Sequence, residues 1–347
     1  MRILGAWFSL YETFGILPVI SDTLLLLYEK KKNGAELTII QTPNSMLSEI
    51  QSMHLAAKNF LDNAPPYSLP LRVPYIGMGS SYFAPLAFKF MGLPIVPEIA
   101  SEYYNYLHND GKQQSAVLLS QSGRSSEVLW CRELFDHYIA VVNDTESPLA
   151  KSASGIVPMW AGEEKFSSSK TYLNTLLALF KGFGMDVCDT VKQLEENMPV
   201  YDAKGKELAD ALYEMHRSKK LNGIYITGSG PNIGTAMQAG LIMSECTKLC
   251  FTGMPMAQYD HGHKETAKDS VVFQIISKGK SYERSKKLSA TVRSAGAQVF
   301  EVEASGVTEN ESILHNIIPF NYMSYYLSQK LGVQEMFVVG GKVTEVI

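Results

Sequence analysis

The sequence predicts an α/β protein with two tandem domains, each built on a parallel sheet flanked by helices. Short apolar runs of strand composition alternate with helical segments along most of the chain, which is typical of parallel strands joined by right-handed crossovers. A strand, a Gly/Ser turn and a helix follow one another around Gly79 and again around Gly230. This repeat indicates duplication of one unit. The 347 residues are 46% hydrophobic, which is enough apolar sequence for two buried cores.

The first predicted domain covers residues 43–190. Its predicted strands are residues 71–76, 95–99, 117–120, 138–142 and 155–160, and its predicted helices are residues 46–60, 84–91, 128–135 and 171–183. Each strand is a short apolar run, and each helix has apolar residues at helical spacing. Because the carboxyl ends of parallel strands share one sheet edge, we expect a ligand to bind there.

The second predicted domain covers residues 203–335. Its predicted strands are residues 224–227, 270–276 and 298–302, and its predicted helices are residues 208–215, 233–246, 282–294 and 319–331. The polar residues 189–207 contain Pro199 and are predicted to be a linker with some helix between the domains. Residues 336–347 are predicted to follow this domain as a carboxy-terminal tail.

Composition excludes several classes of protein. The net charge of −4 and pI near 6.0 give no electrostatic case for binding nucleic acid. The four cysteines include no CxxC pair, which is typical of reduced thiols in a cytoplasmic protein. Residues 1–42 are apolar at first but too broken by polar residues for a signal peptide or a membrane span. We interpret them as an amino-terminal extension that packs on the body, or as a product of start-site choice.

The run Ser120-Gln121-Ser122-Gly123-Arg124-Ser125 lies between a buried strand and a predicted helix start. Hydroxyls, an amide and free backbone N–H groups at such a position suit a phosphate group. The alternative is a Ser/Gly turn with a serine N-cap, which is common in α/β proteins.

From residue 46 onward the chain resembles the tandem sugar isomerase (SIS) domain proteins, including the isomerase half of glucosamine-fructose-6-phosphate aminotransferase and related stand-alone deaminases and deglycases. The motifs that carry the resemblance are, in chain order, Gly79-Ser80-Ser81, the run at 120–125, Ser168-Ser169-Lys170, Glu245 with His261, and Gly341-Lys342-Val343-Thr344. The resemblance implies two SIS domains, each a flavodoxin-like three-layer sandwich. Residues 1–42 are too short for a glutaminase domain, so the ammonia-channelling reaction of the full synthase is not expected.

The resemblance also implies the substrate contacts. The phosphate-binding residues it implies are Ser81, Ser120, Gln121, Ser122 and Ser125. Ser168 falls where the family contacts sugar hydroxyls. For Lys170 the simpler expectation is a position in the first turn of a helix with its ammonium in water. Arg124 departs from the acidic residue often found in the family, so it either contacts the phosphate or faces solvent.

Glu245 matches the carboxylate that transfers the proton in the family. It follows Leu241, Ile242 and Met243 on a predicted helix, and burial there would raise its pKa toward the range of a general base. The alternative is a carboxylate on the wet face of that helix. The synthase has a lysine where this chain has Ile242, so a cation beside Glu245 is lost and an altered substrate is favoured.

His261 matches the histidine that opens the sugar ring and reaches into the partner subunit, so the resemblance implies a homodimer. The usual proline is replaced by His263, and a metal site formed by Asp260, His261 and His263 is the alternative. The resemblance implies that residues 336–347 are an active-site tail, and that Lys342 matches the tail lysine that can form an imine with the open-chain ketose. The alternative is a disordered terminal lysine.

Taken together, these residues predict a phosphosugar aldose–ketose isomerase or deaminase that needs no cofactor and no metal. The substrate implied is a 6-phosphorylated sugar such as glucosamine-6-phosphate or fructose-6-phosphate. A fructosamine-6-phosphate deglycase and a non-catalytic sugar-phosphate sensor are the alternatives. A dinucleotide-binding oxidoreductase would rest on Gly228, Gly230 and Gly234, whose spacing is not the dinucleotide fingerprint. Neither a nucleic acid nor a membrane is expected as a partner.

Overall fold

The computed structural model describes residues 45–108, 111–218 and 220–339, and the backbone alone of residues 18–21, 24–31 and 34–40. The chain divides into two compact units, Met1–Glu49 and Ile50–Ile347. In the first unit, three antiparallel strands form a sheet: β1 (Pro18–Ser21), β2 (Leu24–Lys31) and β3 (Gly34–Ile40). No strand was predicted here, since the apolar residues at 24–27 do not alternate with polar ones.

The second unit contains two parallel sheets, and the first of them has five strands in the order β5-β4-β6-β7-β8. The strands are β4 (Pro74–Gly77), β5 (Val96–Ile99), β6 (Gln113–Leu119), β7 (Phe135–Val142) and β8 (Gly155–Pro158). All neighbouring pairs are parallel, and the order is that of flavodoxin-like sheets. Ile76, Leu118 and Ala140 are fully buried in its core. All five strands were predicted, with ends that differ by a few residues.

The other parallel sheet repeats this arrangement with four strands in the order β10-β9-β11-β12. The strands are β9 (Gly223–Gly228), β10 (Thr252–Pro255), β11 (Ser270–Ile275) and β12 (Gln298–Val302). The matching order supports the duplication indicated by the sequence, and all pairs are parallel. β10 was missed; it is an edge strand that contains Gly253 and Pro255, two residues that weaken a strand pattern.

Helices flank both sheets, as the fold class predicted. In chain order they are α1 (Met46–Gln51), α2 (Met53–Asn63), α3 (Ser80–Met91), α4 (Ala100–Glu102), α5 (Ser126–Trp130), α6 (Pro148–Lys151), α7 (Lys170–Gly182), α8 (Cys188–Arg217), α9 (Asn232–Thr247), α10 (Met256–His261), α11 (Tyr282–Ser294), α12 (Ser312–Asn316) and α13 (Ile318–Leu331). Within the ranges described, no helix is both long enough and apolar enough to cross a bilayer. All four cysteines are free thiols.

Two predictions about helices were wrong. The expected linker at residues 189–207 lies inside α8, which continues through Pro199. α8 packs on α13 so closely that a Cβ added to Gly205 would lie 2.4 Å from the Cβ of Tyr322. The buried residues of α8 recur at helical spacing. The many polar residues on its outer face are the reason that the sequence predicted a linker. The helix expected at 128–135 is the short α5, and Phe135 already belongs to β7.

Candidate active site

The predicted phosphate-binding residues follow two adjacent strands of the five-stranded sheet. β4 pairs with β6, with Tyr75 opposite Val117. In a sheet of this order the chain leaves these two strands in opposite directions, which opens a crevice at their carboxyl ends. The turn after β4 contains Gly79 with a φ of +51° and leads to Ser81 in the first turn of α3. The crevice therefore lies between this turn and the loop after β6.

The loop after β6, residues 120–125, is named the serine loop here, and it is held by its own hydrogen bonds. The buried hydroxyl of Ser120 donates to the hydroxyl of Ser125 at 3.1 Å and accepts the backbone N–H of Gly123 at 3.1 Å. Gly123 has a φ of +63°, and a Cβ there would lie 2.0 Å from Oγ of Ser147. The loop thus depends on a glycine at this position, because both the backbone angle and the space exclude a side chain.

The remaining serine-loop residues contact the neighbouring loop after β7. Arg124 donates to the carboxylate of Asp144 at 2.7 Å and to the backbone carbonyl of Ser122 at 2.9 Å. The hydrogen bond from Arg124 lowers the pKa of Asp144. The backbone carbonyl of Gln121 accepts the N–H of Asn143 at 3.0 Å. The exposed side chain of Arg124 therefore agrees with the predicted alternative in which it faces solvent, and it also braces the loop through Asp144.

The short α5 changes the physical basis expected for the phosphate site. It has 5 residues and gives way to a 3-10 turn at Cys131–Leu134. A helix of one turn has little dipole to offer an anion. The hydroxyls and backbone N–H groups of the serine loop are therefore the groups that suit an anion here.

Ser168 lies just before α7, as predicted, and its hydroxyl is 3.0 Å from the hydroxyl oxygen of Thr171. The expectation for Lys170 was wrong. Its side chain is buried, and its ammonium donates to the backbone carbonyl of Glu163 at 2.6 Å. A buried ammonium needs such an acceptor, so Lys170 fixes the chain ahead of α7 rather than facing water.

Glu164, which the sequence analysis missed, organises the start of α7. Its half-buried carboxylate accepts the backbone N–H groups of Ser169 at 3.1 Å and Thr171 at 3.2 Å. It also accepts both of their hydroxyls, that of Ser169 at 3.0 Å. Burial raises the pKa of Glu164, and these four donors oppose that rise. An acid shortly before a Ser/Thr-rich helix start was the available signal for this capping role.

Glu245 lies on α9, and this helix runs beside the loops of the five-stranded sheet. The side-chain amide of Gln238 donates to the backbone carbonyl of Ser168 at 3.2 Å, and the thiol of Cys246 lies 3.3 Å from Oγ of Ser167. A Cβ on Gly79 would lie 3.4 Å from Leu241. Residues on both sides of Glu245 along the helix thus border the predicted sugar-contact segment.

The burial of Glu245 falls between the two alternatives weighed from the sequence. The residue is half-buried rather than wholly inside or on a wet face. Ile242, at the position for which the resemblance implies a lysine, is fully buried in the core. Its side chain is therefore part of the apolar packing.

The chain after α13 approaches the end of the helix that carries Glu245. Lys248 follows the last residue of α9 with a φ of +64°, and its ammonium donates to the backbone carbonyls of Glu245, at 2.6 Å, and of Met336. Val339 is almost fully exposed. Lys342 lies outside the described residues, so its role stays a prediction.

His261 is the last residue of α10 and is exposed in this chain. Asp260 beside it binds Lys264 at 3.0 Å and Arg284 at 2.9 Å, and these two cations lower its pKa. His263 packs its ring against Tyr225. Across the part of the chain that the structure describes, no three His, Cys, Asp or Glu side chains are grouped so as to hold a metal ion.

No profile of a known protein family matches the chain, whereas individual relatives do. It is 26% identical over 250 residues to a glutamine–fructose-6-phosphate aminotransferase of Sulfurisphaera tokodaii, covering 67% of this chain and 41% of that protein. It is 23% identical over 296 residues to glutamine–fructose-6-phosphate aminotransferase 1 of Arabidopsis thaliana, covering 74% of this chain and 44% of that protein. The chain thus spans less than half the length of these curated relatives.

Solved structures of sugar-phosphate enzymes match the fold of this chain. A glucosamine-6-phosphate deaminase of Thermotoga maritima matches with a TM-score of 0.67 at 21% identity, covering 82% of this chain and 93% of that one. The carboxy-terminal domain of the Francisella tularensis aminotransferase matches with a TM-score of 0.68 at 15% identity, covering 83% and 96%. The chain has the tandem SIS fold. Within the tandem SIS fold, the serine loop, the residues before α7 and α9 form the candidate active site.

Proposed function

We propose that this tandem SIS protein is a phosphosugar aldose–ketose isomerase or deaminase. Its substrate is a 6-phosphorylated sugar or amino sugar such as fructose-6-phosphate or glucosamine-6-phosphate. The observation that carries the proposal is the placement of α9, with Glu245, against the segment that contains Ser168. This helix borders a crevice whose serine loop is already held in shape, and preorganised donors are what binding of an anionic group requires.

Each predicted residue has a role in this proposal. The groups that hold the phosphate are Ser81, Ser120, Gln121, Ser122 and Ser125. The hydroxyl of Ser168 donates a hydrogen bond to a sugar hydroxyl or accepts one from it. Anchoring the phosphate at one end of the open-chain sugar fixes carbons 1 and 2 at a set distance from the serine loop.

Proton transfer is assigned to Glu245. The carboxylate removes the proton from one of the two carbons and returns it to the other, which interconverts aldose and ketose through an enediol. His261 of the other subunit of a homodimer delivers the proton that opens the sugar ring, and Lys342 forms an imine with the open-chain ketose. A deaminase differs in its net result, since the amine of the 2-amino sugar leaves as ammonia and water supplies the oxygen.

The relatives support both reactions. The Thermotoga maritima structure is described as a glucosamine-6-phosphate deaminase, and an Escherichia coli structure with a TM-score of 0.61 is described as a tagatose-6-phosphate ketose/aldose isomerase. A deglycase for fructosamine-6-phosphate-type substrates and a non-catalytic sensor are the alternatives. We place the enzyme in the cytoplasm, since reduced cysteines and a phosphorylated substrate suit that compartment.

The proposal is tested by supplying 6-phosphorylated sugars and amino sugars and measuring ketose, aldose and free ammonia. Glu245→Gln should abolish turnover and leave phosphosugar binding by calorimetry unchanged, whereas Glu195→Gln, on the exposed face of α8, should keep full activity. Ser122→Ala should raise the Michaelis constant. Retained turnover in Glu245→Gln would reject the proton-transfer role. Binding without any turnover in the unaltered protein would favour the sensor.

A further inference from the structure

The carboxyl end of α9 is fixed by hydrogen bonds that do not involve the side chain of residue 248. The N–H of Leu249 donates to the hydroxyl of Thr247 at 3.2 Å. The N–H of Phe251 donates to the hydroxyl of Ser244, also at 3.2 Å. These two hydroxyls donate in turn to backbone carbonyls one turn back on α9, at 2.6 and 2.9 Å. This end of the helix should therefore keep its shape when the side chain of residue 248 is changed.

Lys248 occupies a backbone position that favours glycine. Its φ of +64° lies in the left-handed region, where a Cβ is disfavoured and helices most often end on glycine. Gly332 occupies the same position after α13, with a φ of +68°. The chain thus has a lysine where the backbone alone favours glycine, which points to a role for the lysine side chain.

The ammonium of Lys248 joins the end of α9 to the chain after α13. It donates to the backbone carbonyl of Glu245 at 2.6 Å, and lysines near the carboxyl end of a helix commonly form such a bond with their own last turn. It also donates to the backbone carbonyl of Met336, which is 88 residues away along the chain. This second bond brings a distant segment to the turn of α9 that carries Glu245.

Met336 belongs to residues 333–339, which form neither a helix nor a strand. Phe337, Val338 and Val339 beside it are all more than half exposed. A stretch with so little buried surface gains little from packing. A hydrogen bond from a donor on a fixed helix end therefore contributes much of what holds this stretch in place.

We propose that Lys248 is a positioning residue that anchors the carboxy-terminal segment to the end of α9. Lys342 follows Met336 by six positions, and an extended chain of that length spans at most about 20–22 Å. Anchoring Met336 beside the last turn of α9 thus confines Lys342 to the surroundings of Glu245. The effect on catalysis rests on the proposed function, whereas the anchoring contact does not.

Limited digestion with chymotrypsin tests the anchor without any sugar. Chymotrypsin cuts after exposed aromatic residues such as Phe337, and mass spectrometry follows the release of residues 338–347. Lys248→Gly and Lys248→Met should release this peptide about five- to tenfold faster than the unaltered chain, because each loses a charge-assisted hydrogen bond to the segment. Lys248→Arg should stay within about twofold of the unaltered rate, since a guanidinium can also donate to two carbonyls.

Two controls separate the anchor from general effects. Lys287→Met removes an equal charge from an exposed position of α11 and should release the peptide at the unaltered rate. Lys248→Gly should melt at the same temperature as the unaltered chain or higher, because glycine suits the positive φ. Faster release in a variant that is no less stable reports the lost anchor rather than partial unfolding.

Turnover of a 6-phosphorylated sugar then tests the positioning role. In Lys248→Gly, kcat should fall about three- to tenfold while KM stays within about twofold, because the serine loop that holds the phosphate is unchanged. Lys248→Arg should restore most of kcat. A change in stability alone would not produce this separation of kcat from KM.

Each arm has an outcome against the inference. If folded Lys248→Gly and Lys248→Met release the peptide no faster than Lys287→Met, the anchor does not exist and the inference is overturned. Faster release with an unchanged kcat would overturn the positioning role. If the unaltered protein turns over no phosphorylated sugar, the proposed function fails, and the digestion still decides whether Lys248 anchors the segment.

Discussion

Replacing Glu164 tests how the predicted sugar-contact segment is held. The Glu164 carboxylate accepts two backbone N–H groups and two hydroxyls, all from Ser169 and Thr171, and both of these residues are buried. In Glu164→Ala the hydroxyls can rotate toward other acceptors, but the N–H groups at the start of α7 cannot. Each buried N–H left without a partner costs about 1–3 kcal/mol. The free energy of unfolding should therefore fall by roughly 2–6 kcal/mol.

Glu164→Gln should cost far less than Glu164→Ala. The amide oxygen can accept both N–H groups, and the loss is limited to the bond from Thr171, whose hydroxyl must turn to accept from the new NH₂ group. One neutral hydrogen bond contributes about 1 kcal/mol net, so we expect a loss near that size. Glu163→Ala is the matched control, because its exposed carboxylate makes only a 3.4 Å surface contact with Lys165 and should change stability by less than about 0.5 kcal/mol.

Urea denaturation followed by circular dichroism measures these differences, and binding assays give a second readout. Because Ser168 contacts Thr171, Glu164→Gln should weaken binding of a 6-phosphorylated sugar more than binding of inorganic phosphate. If the Ala and Gln variants lose equal stability, the capping bonds do not carry the cost and the reasoning is refuted. Equal weakening for phosphosugar and phosphate would refute the link to Ser168.

Two further predictions concern pH and backbone geometry. Burial lowers the pKa of His315 from 6.5 to about 4. As the pH falls, this imidazole is therefore protonated in the unfolded chain before it is protonated in the folded one. The free energy of unfolding should then decrease as the pH falls from about 6.5 toward 4. Between pH 7 and 4.5 the unaltered protein should lose about 2–3 kcal/mol more of its unfolding free energy than His315→Asn, measured by urea denaturation, and equal losses would contradict this. Gly123→Ala should lower the unfolding free energy by about 2–3 kcal/mol and raise the Michaelis constant, because a positive φ disfavours alanine and the Cβ would displace Ser147 from the start of α6. Gly162→Ala, with a similar φ of +69° and nothing within 4 Å of its Cβ, should show only the backbone part; equal effects of both variants would exclude the contact with Ser147.

The local pattern of the chain was sufficient for most of the fold. α11 and β12 were predicted to the residue, at 282–294 and 298–302. Apolar spacing identified them because periodicity depends only on neighbours along the chain. The serine loop was found from its own residues, and the resemblance added Glu245 through motifs in a set order along the chain. The comparisons confirm the fold that the resemblance implied. The boundaries predicted at 43–190 and 203–335 stay predictions.

The contacts that could not be predicted from the sequence are those between residues that are distant along the chain. The pairing of Arg124 with Asp144, the contact of Gly123 with Ser147 and the position of Glu309 against Gly279 follow no periodic pattern. They exist because the order of strands brings particular loops to the same sheet edge. Strand order is set by how whole elements pack and cross over. Only the tertiary structure therefore decides which side chains contact one another between the loops. The chemical groups of those loops could be identified from the sequence alone.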